Sequence, residues 1–176
     1  MSAVVIAAAA PGAVSAPAAV TSGRACVTMI SPVAPGAKVS ETHELGCWDN
    51  LAEAHAANGV LAAGEAPLLG QMSLLAPALA AATVTIGIDY SDTYYSGFTQ
   101  TWLTPHLSGC TDGSVYTSVM PGNFDNATRS VTGLSGCLHN RHYDPPSPSG
   151  LSIACSGNCA VMGSMALKTS YVRWAP

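Results

Sequence analysis

The chain has 176 residues, enough for one domain and a modest appendage. Charged residues make up only 9% of it, the net charge is −4 at pH 7, and its six lysines and arginines are scattered from Arg24 to Arg173. A nucleic-acid-binding protein needs a basic face, so this composition argues against nucleic acid as a partner.

The first 20 residues have the layout of a secretory signal peptide. An apolar run is followed by a Pro-Gly break at 11–12 and by small residues at Val14-Ser15-Ala16, which places cleavage near Ala16 or Ala19. The usual positive charge before the apolar run is missing, so we expect the signal peptide of residues 1–20 to be truncated at its start. The alternative is an N-terminal helix of the mature protein. A signal peptide predicts a secreted, extracellular protein, and the alanine-rich composition is typical of a bacterial one.

Residues 26–60 predict a small leader unit with the order strand, strand, helix. Residues 26–31 and 39–48 are typical of strands separated by a Pro/Gly loop, and Asp49 or Asn50 caps a helix that runs to Ala57. A disulfide between the two strands would make this a disulfide-linked β-β-α unit. Its residues indicate no function.

Residues 61–82 predict an alanine-rich linker. The segment is apolar and only Glu65 is charged, so a membrane span has to be considered. Glycines and prolines break it into pieces shorter than the roughly 20 residues that a span needs, at Gly64, Pro67, Gly70 and Pro77. We expect a short helix around 68–75 that packs its leucines on the neighbouring domain and no membrane span, while surface contact with a membrane stays open.

Residues 83–176 predict an all-β domain. Val84, Ile86 and Ile88 alternate with polar residues or glycine, which indicates a half-buried strand. Several further short strands follow, evenly separated by turn residues, a pattern typical of a sandwich of two Greek keys. Trp102 and Trp174 are expected to anchor its core.

The strand at 86–97 combines two aromatic residues and a glycine at a fixed spacing: Tyr90, Tyr95 and Gly97. A strand that folds over on itself needs a packed aromatic ring at each end of the fold and a residue that accepts positive φ at the crease. The two tyrosines supply the rings and the glycine supplies the crease.

A second copy of this pattern follows at Tyr143 to Gly150, with Pro148 in place of the second aromatic residue. Similar segments follow each copy in the same order, so the two copies form an internal repeat. Over roughly residues 84–174 the repeat resembles the βγ-crystallin superfamily, in which such a folded hairpin opens each Greek-key motif. The resemblance implies a mainly β fold: a two-Greek-key βγ-crystallin-like sandwich at 83–176, preceded by the leader unit.

The six cysteines of an exported chain favour three disulfides over free thiols or a redox site. Neighbouring cysteines would each close a loop within one local unit, with a stabilisation of about 2–4 kcal/mol that is smallest for the shortest loop. The alternative is a zinc site formed by His139, His142, Cys155 and Cys159, although the spacings differ from those of common zinc modules. The expected pairs are Cys26 with Cys47, Cys110 with Cys137, and Cys155 with Cys159.

The resemblance also implies calcium loops, each with two Asn/Asp residues followed by a hydroxyl residue that reaches the partner site. The first loop keeps Asp125 and Asn126 but has Arg129 at the hydroxyl position, and the second has Ala166-Leu167 as its pair but keeps Thr169. The family pattern therefore predicts at best one half-site, formed by Asp125, Asn126 and Thr169, with oxygen ligands that suit calcium. The alternative is a tight loop whose polar groups only satisfy the backbone. No other cofactor is expected.

No motif of a known catalytic constellation is present, so we do not expect an enzyme. The secreted actinobacterial proteins that the chain resembles include metalloproteinase inhibitors and killer-toxin-like proteins. A resemblance to the inhibitors implies a rigid exposed loop that a disulfide braces and that is offered to an extracellular protease.

The corresponding inhibitory loop here is Cys155-Ser156-Gly157-Asn158-Cys159. Such a loop binds well because it is already ordered before it meets its partner. However, its serine, glycine and asparagine offer no hydrophobic side chain for a thermolysin-like pocket. We therefore expect a secreted non-enzymatic binding protein of the peptidase-inhibitor kind. The alternative is an extracellular structural or calcium-tuned module with no protease partner.

Overall fold

The computed structural model of the chain describes residues 24–58, 82–144 and 150–176. Within these ranges the protein is mainly β, with ten strands, one helix and one 3-10 turn. The signal peptide expected at 1–20, the helix expected at 68–75 and Pro148 lie outside the described residues. The strands are β1 (Ala25–Ile30), β2 (Thr42–Trp48), β3 (Val84–Asp92), β4 (Ser96–Thr104), β5 (Tyr116–Val119), β6 (Ser130–Gly133), β7 (His139–Asp144), β8 (Leu151–Ser156), β9 (Asn158–Cys159) and β10 (Tyr171–Ala175); the helix is α1 (Leu51–Ala57) and the turn is Gly163–Met165.

The strands form two sheets. One sheet has six strands in the order β2-β1-β4-β3-β6-β9, and the other has four in the order β5-β10-β7-β8. Strands β3 to β6 and β7 to β10 are two successive four-strand units. In each unit the first, second and fourth strands share a sheet, whereas the third strand, β5 or β9, pairs in the sheet of the other unit. The two units therefore exchange one strand each.

Strand β3 lies inside the six-stranded sheet and carries a bulge. Its register against β4 shifts between Thr85 and Gly87, which changes the faces of the residues that follow. Gly87 lies against Trp174 and Asp89 lies near His142, and both partners belong to the other sheet. The alternation predicted a half-buried strand, whereas all five residues from 85 to 89 are buried.

The two tryptophans fill the centre of the sandwich, as the sequence predicted. Trp102 of β4 and Trp174 of β10 both have 0% exposure and belong to one core cluster. A Cβ atom at Gly87 would overlap the indole ring of Trp174. The glycine in β3 is therefore required by the packing of this ring, because side chains in a close-packed core cannot move aside cheaply.

The leader residues form strands and a helix that continue the β-domain. Strand β1 pairs in parallel with β4, and β2 pairs antiparallel with β1 at the edge of the sheet. Asn50 caps α1, since its side chain accepts a hydrogen bond from Glu53 N at 2.9 Å. Ala54 of the helix is buried in a small cluster with Leu103 of β4. The strand-strand-helix segment therefore shares a sheet and a core with the residues after 82.

The loop between β1 and β2 also reaches the four-stranded sheet. Ser40 N donates to Thr117 O at 2.8 Å and Thr117 N donates to Ser40 Oγ at 3.0 Å. The Thr117 hydroxyl donates to Lys38 O at 3.0 Å, and Val33 N donates to Val115 O at 2.8 Å. This loop covers the outer edge of β5 and supplies the hydrogen-bond partners that an edge strand otherwise lacks. The leader thus contacts both sheets.

All six cysteines are paired, and the pairs are those predicted from the sequence: Cys26 with Cys47, Cys110 with Cys137, and Cys155 with Cys159. The zinc alternative is wrong because both of its sulfur ligands are held in a disulfide. His142, one of its nitrogen ligands, is buried in the core.

Candidate functional site

The folded hairpin between β3 and β4 has the geometry that its residue types predict. The rings of Tyr90 and Tyr95 pack edge to face with centroids 5.8 Å apart. Gly97 has φ +82°, and a Cβ there would collide with Ser91 Oγ and lie 2.8 Å from Asp92 Oδ2. Only glycine fits this crease without strain.

Ser130 of β6 fastens the hairpin to the sheet. Its hydroxyl donates to Asp92 O at 2.6 Å and accepts a hydrogen bond from Tyr95 N at 3.0 Å. In the second unit, Tyr143 packs edge to face on Tyr171 instead, with centroids 5.7 Å apart. Tyr171 stands where the first unit has Ser130, since each pairs with the tyrosine of its own unit. The sequence pattern is the same at Tyr90 and Tyr143. In the structure, however, a serine side chain holds the hairpin of Tyr90, whereas a tyrosine ring occupies the equivalent place beside Tyr143.

Three side-chain oxygens meet near the start of β6. Ser170 Oγ donates to Asp125 Oδ1 at 2.5 Å and lies 3.4 Å from Asn126 Oδ1. Asn126 has φ +58°, a left-handed conformation that asparagine tolerates better than most residues. The backbone N–H of Asn126 donates to Thr169 O at 2.9 Å, and this hydrogen bond links the two loops. The predicted pair Asp125 and Asn126 is therefore joined by a hydroxyl from the second unit.

That hydroxyl belongs to Ser170, which corrects the predicted role of the Thr169 side chain. Ser170 N donates to Tyr143 O just as Arg129 N donates to Tyr90 O, so Ser170 is the counterpart of Arg129. Thr169 is fully buried, and its hydroxyl has no hydrogen-bond partner there. Two adjacent hydroxyl residues cannot be told apart by spacing alone, because the strand register decides which of them faces the oxygen cluster.

The oxygen cluster fits a hard cation in part. Asp125, Asn126 and Ser170 offer oxygen donors, as calcium prefers, but calcium takes about 6 to 8 oxygens and usually several carboxylates. Asp125 is the only carboxylate of the three. In the part of the chain that the structure describes, no group of three or more His, Cys, Asp or Glu side chains could hold a metal ion. These three residues would hold calcium weakly, with water completing the shell.

The loop predicted to be inhibitory joins β8 to β9 and so passes from one sheet to the other. Its disulfide partner Cys155 is buried, whereas Ser156 and Asn158 are exposed. Gly157 forms the turn at φ +75°, with open space around its Cα. The structure therefore presents two polar side chains on either side of a tight turn.

Hydrogen bonds hold this turn from several sides. Gly157 O accepts from Gly133 N at 2.8 Å and from Asn140 Nδ2 at 2.8 Å, and Gly157 N donates to Leu138 O. Strand β9 adds pairing to β6. The loop is rigid, and the main-chain groups at its apex are already occupied, so a partner would be met by the side chains of Ser156 and Asn158.

The core contains a polar pair that the sequence analysis missed. Asp89 Oδ1 lies 3.5 Å from His142 Nδ1, and both side chains have 0% exposure. Trp102 Nε1 donates to Asp89 Oδ2 at 2.8 Å. Burial raises the pKa of Asp89 to about 7, and burial lowers the pKa of His142 to about 3. Between these values both groups are uncharged in the folded protein, so the pair forms a neutral polar contact.

A second cluster lies on the surface, in the loop after β4. His106 Nε2 is 2.6 Å from Asp112 Oδ2 and 3.3 Å from Ser114 Oγ. Hydrogen bonds from Ser114 and His106 lower the pKa of Asp112 to about 2. A serine-histidine-aspartate relay needs the acid and the hydroxyl on opposite ring nitrogens. Here both contact the same nitrogen, so the cluster orders its loop and does not form a relay.

Within the described ranges, no helix combines the length and the apolar character that crossing a bilayer requires. Comparison of the chain with protein-family models, with curated proteins and with solved structures found no match.

Proposed function

We propose that the chain is a secreted, non-enzymatic binding protein with a βγ-crystallin-like domain of two Greek keys. The exchange of the third strand between the two four-strand units supports this architecture. The folded hairpin with Tyr90, Tyr95 and Gly97 supports it at the level of residues. Three disulfides favour an oxidising compartment outside the cell.

The binding element of this proposal is the loop from Cys155 to Cys159, and the partner is an extracellular peptidase. One observation carries the proposal: the loop is clamped by a disulfide and by the hydrogen bonds at Gly157, while Ser156 and Asn158 remain exposed. A loop that is ordered before binding loses little conformational entropy when it meets a partner. The absence of a large apolar side chain in this loop favours a peptidase whose specificity pocket accepts small or polar residues.

The test measures inhibition of a panel of secreted metallo- and serine peptidases by the oxidised protein. We expect a double change of Ser156→Ala and Asn158→Ala to raise the inhibition constant by at least about tenfold, roughly 1.4 kcal/mol of binding free energy. Ser164→Ala is the control, because Ser164 is also exposed but lies in the 3-10 turn.

Circular dichroism and the melting temperature establish that each variant is folded. Wild-type protein that inhibits no peptidase of the panel would contradict the proposal and favour the structural module. Equal losses for the double change and for Ser164→Ala would show that inhibition does not depend on this loop.

A second candidate function, a calcium-tuned extracellular module, has an observation of its own. The Ser170 hydroxyl from the second unit lies 2.5 Å from Asp125 Oδ1 in the first. A cation bound to both oxygens, with the serine hydroxyl still protonated and turned away from Asp125, would connect the two units. The two candidates are compatible, because the oxygen cluster and the loop involve different residues.

A further inference from the structure

The outer face of the four-stranded sheet carries a depression of about 430 Å³. Its size lies within the range of roughly 300–1,000 Å³ that is usual for small-molecule sites. Residues of β7, β8 and β10 line it, namely His139, Asn140, Arg141, Tyr143, Ala154, Cys155, Ser156 and Arg173. Lys and Arg are rare in the chain, yet two of the six lie in this one depression.

The two arginines stand directly opposite each other. Arg173 of β10 pairs in register with Arg141 of β7. Cβ atoms at such positions are about 4.5–5.5 Å apart, and like charges placed there repel each other. The neighbours Asn140, Val172 and Trp174 are buried, so strand alternation points both arginines to the outside of the sandwich.

The surroundings of the arginines favour an anion from outside the chain. Among the described residues, the acids that lie within ion-pair distance of a basic side chain are Asp112 and Asp89, and both lie beside histidines, so neither arginine has an acidic partner there. The guanidinium carbon of Arg141 lies 6.0 Å from the centre of the Tyr143 ring, which orients it by a cation-π contact. Arg173 is half-buried. Small side chains at Ala154 and Ser156 leave open space beside the pair.

We propose that this depression binds a doubly charged tetrahedral oxyanion group, the phosphate monoester of a larger molecule. Each guanidinium is a planar fork of donors that matches two oxygens of an anion. Two opposed forks therefore fit a group with four oxygens and two negative charges better than a single carboxylate. Because the depression is larger than one such group, the rest of the ligand lies along Tyr143 and Ser156.

The experiment titrates the oxidised full chain with inorganic phosphate, inorganic sulfate, glycerol phosphate and acetate, with chloride used to hold ionic strength constant. Nuclear magnetic resonance follows the arginine Nε–H signals. We expect phosphate or sulfate to shift the signals of Arg141 and Arg173, glycerol phosphate to bind at least as well as phosphate, and acetate to bind about tenfold more weakly. Arg141→Gln and Arg173→Gln should each lower the phosphate affinity by about tenfold or more.

Arg24→Gln is the matched control, since it removes the same charge from an exposed position ahead of β1. Its affinity should stay within about twofold of wild type. Equal weakening by this control, or equal binding of acetate and phosphate, would overturn the proposal in favour of non-specific attraction, and binding of neither oxyanion would also overturn it. In chloride buffer, Arg173→Gln, which leaves the contact of Arg141 with Tyr143 in place, should melt at or above the wild-type temperature, because a repulsion is removed. A lower melting temperature would assign the arginines a structural role instead.

Discussion

Asp89 and His142 occupy the same position in the two four-strand units, since each directly precedes the tyrosine that begins its hairpin. The repeat brings these equivalent positions face to face across the core, 3.5 Å apart. One position carries an acid and the other a base. Neither keeps its ordinary pKa, because each loses the hydration of its charged form on burial.

The two groups affect stability in opposite directions. Asp89 has a folded pKa of about 7 against 3.8 when unfolded, so its contribution is present below pH 3.8 and is lost as pH rises through 7. His142 has a folded pKa of about 3 against 6.5, so its contribution is present above pH 6.5 and is lost as pH falls through 3. Between pH 3.8 and 6.5 the two proton balances cancel.

A variant that lacks one of the two groups should therefore show the pH dependence of stability that the other group causes. With His142→Gln, we expect the free energy of unfolding, relative to wild type, to fall as pH rises from 3 to 6.5, with a limiting slope of about 1.4 kcal/mol per pH unit. With Asp89→Asn, the relative free energy should rise over pH 3.8 to 7. Urea unfolding across this pH range measures both.

Asp112→Asn provides the comparison for the loss of an exposed acid. Its stability should not reproduce the profile of Asp89→Asn, because the pKa of Asp112 is lowered, to about 2. If both core variants run parallel to wild type across the range, the two groups titrate alike in the folded and unfolded protein and the neutral pair does not exist.

At the scale of elements, the folded hairpin between β3 and β4 depends on Gly97. An alanine there would adopt a left-handed conformation and would collide with Ser91 Oγ. We expect Gly97→Ala to destabilise the protein by about 2–3 kcal/mol, from about 1 kcal/mol of backbone strain and the remainder from the displaced hairpin. Thermal or urea unfolding measures the loss.

Gly113→Ala separates the cost of backbone strain from the cost of the steric collision. Gly113 has φ +93°, but a Cβ there has nothing within 4 Å. The same substitution should therefore cost only the backbone strain of about 1 kcal/mol. Equal losses at both glycines would mean that the crease tolerates a side chain and that the tight fold of the hairpin is not specified by Gly97.

Local chemistry made several of these elements predictable. The alternation at Val84 to Tyr90 predicts β3, Asp49 or Asn50 predicts the start of α1, and the neighbouring cysteines predict the three disulfides. In each case residues close in the sequence carry the signal. The bulge in β3 was not predictable, since Gly87 is explained only by the Trp174 ring that packs on it from the far end of the chain.

Long-range pairing limited the prediction of the candidate site in the same way. The parallel pairing of Ala25 with Thr99 has no local signature, so the leader was expected to be a separate unit. The choice of Ser170 over Thr169 depends on the register of β10 against β7. The arginine pair on the outer face is also a product of that register, because Arg141 and Arg173 are distant in sequence.

At the scale of the whole molecule, calcium would act by linking the two units through Asp125 and Ser170. A ligand that binds only the folded state raises the melting temperature by mass action. With a dissociation constant on the order of 1 mM, as expected for a site with one carboxylate, 10 mM calcium should stabilise the protein by about 1.4 kcal/mol. Differential scanning calorimetry measures the shift.

Asp125→Ala should abolish this calcium-dependent shift, whatever it does to stability without calcium. Glu41→Ala, which removes an exposed carboxylate elsewhere, should retain the shift. Magnesium at the same concentration controls for ionic strength. An equal shift in both variants would mean that calcium acts on the surface at large and not at the oxygen cluster.

The three disulfides leave the leader unlinked to the rest of the protein except through the main chain. Cys26 bonds Cys47 within the leader, and the other two bonds lie wholly beyond residue 109. A single cut of the backbone between residues 59 and 81 would consequently divide the molecule into two polypeptides that share no covalent bond. They would be held together by non-covalent contacts alone, among them the hydrogen bonds of β1 to β4, the loop over β5 and the packing of Ala54 near Leu103. We expect the two parts to behave as complementing fragments, whose reassociation would complete the six-stranded sheet and cover the edge of β5 again.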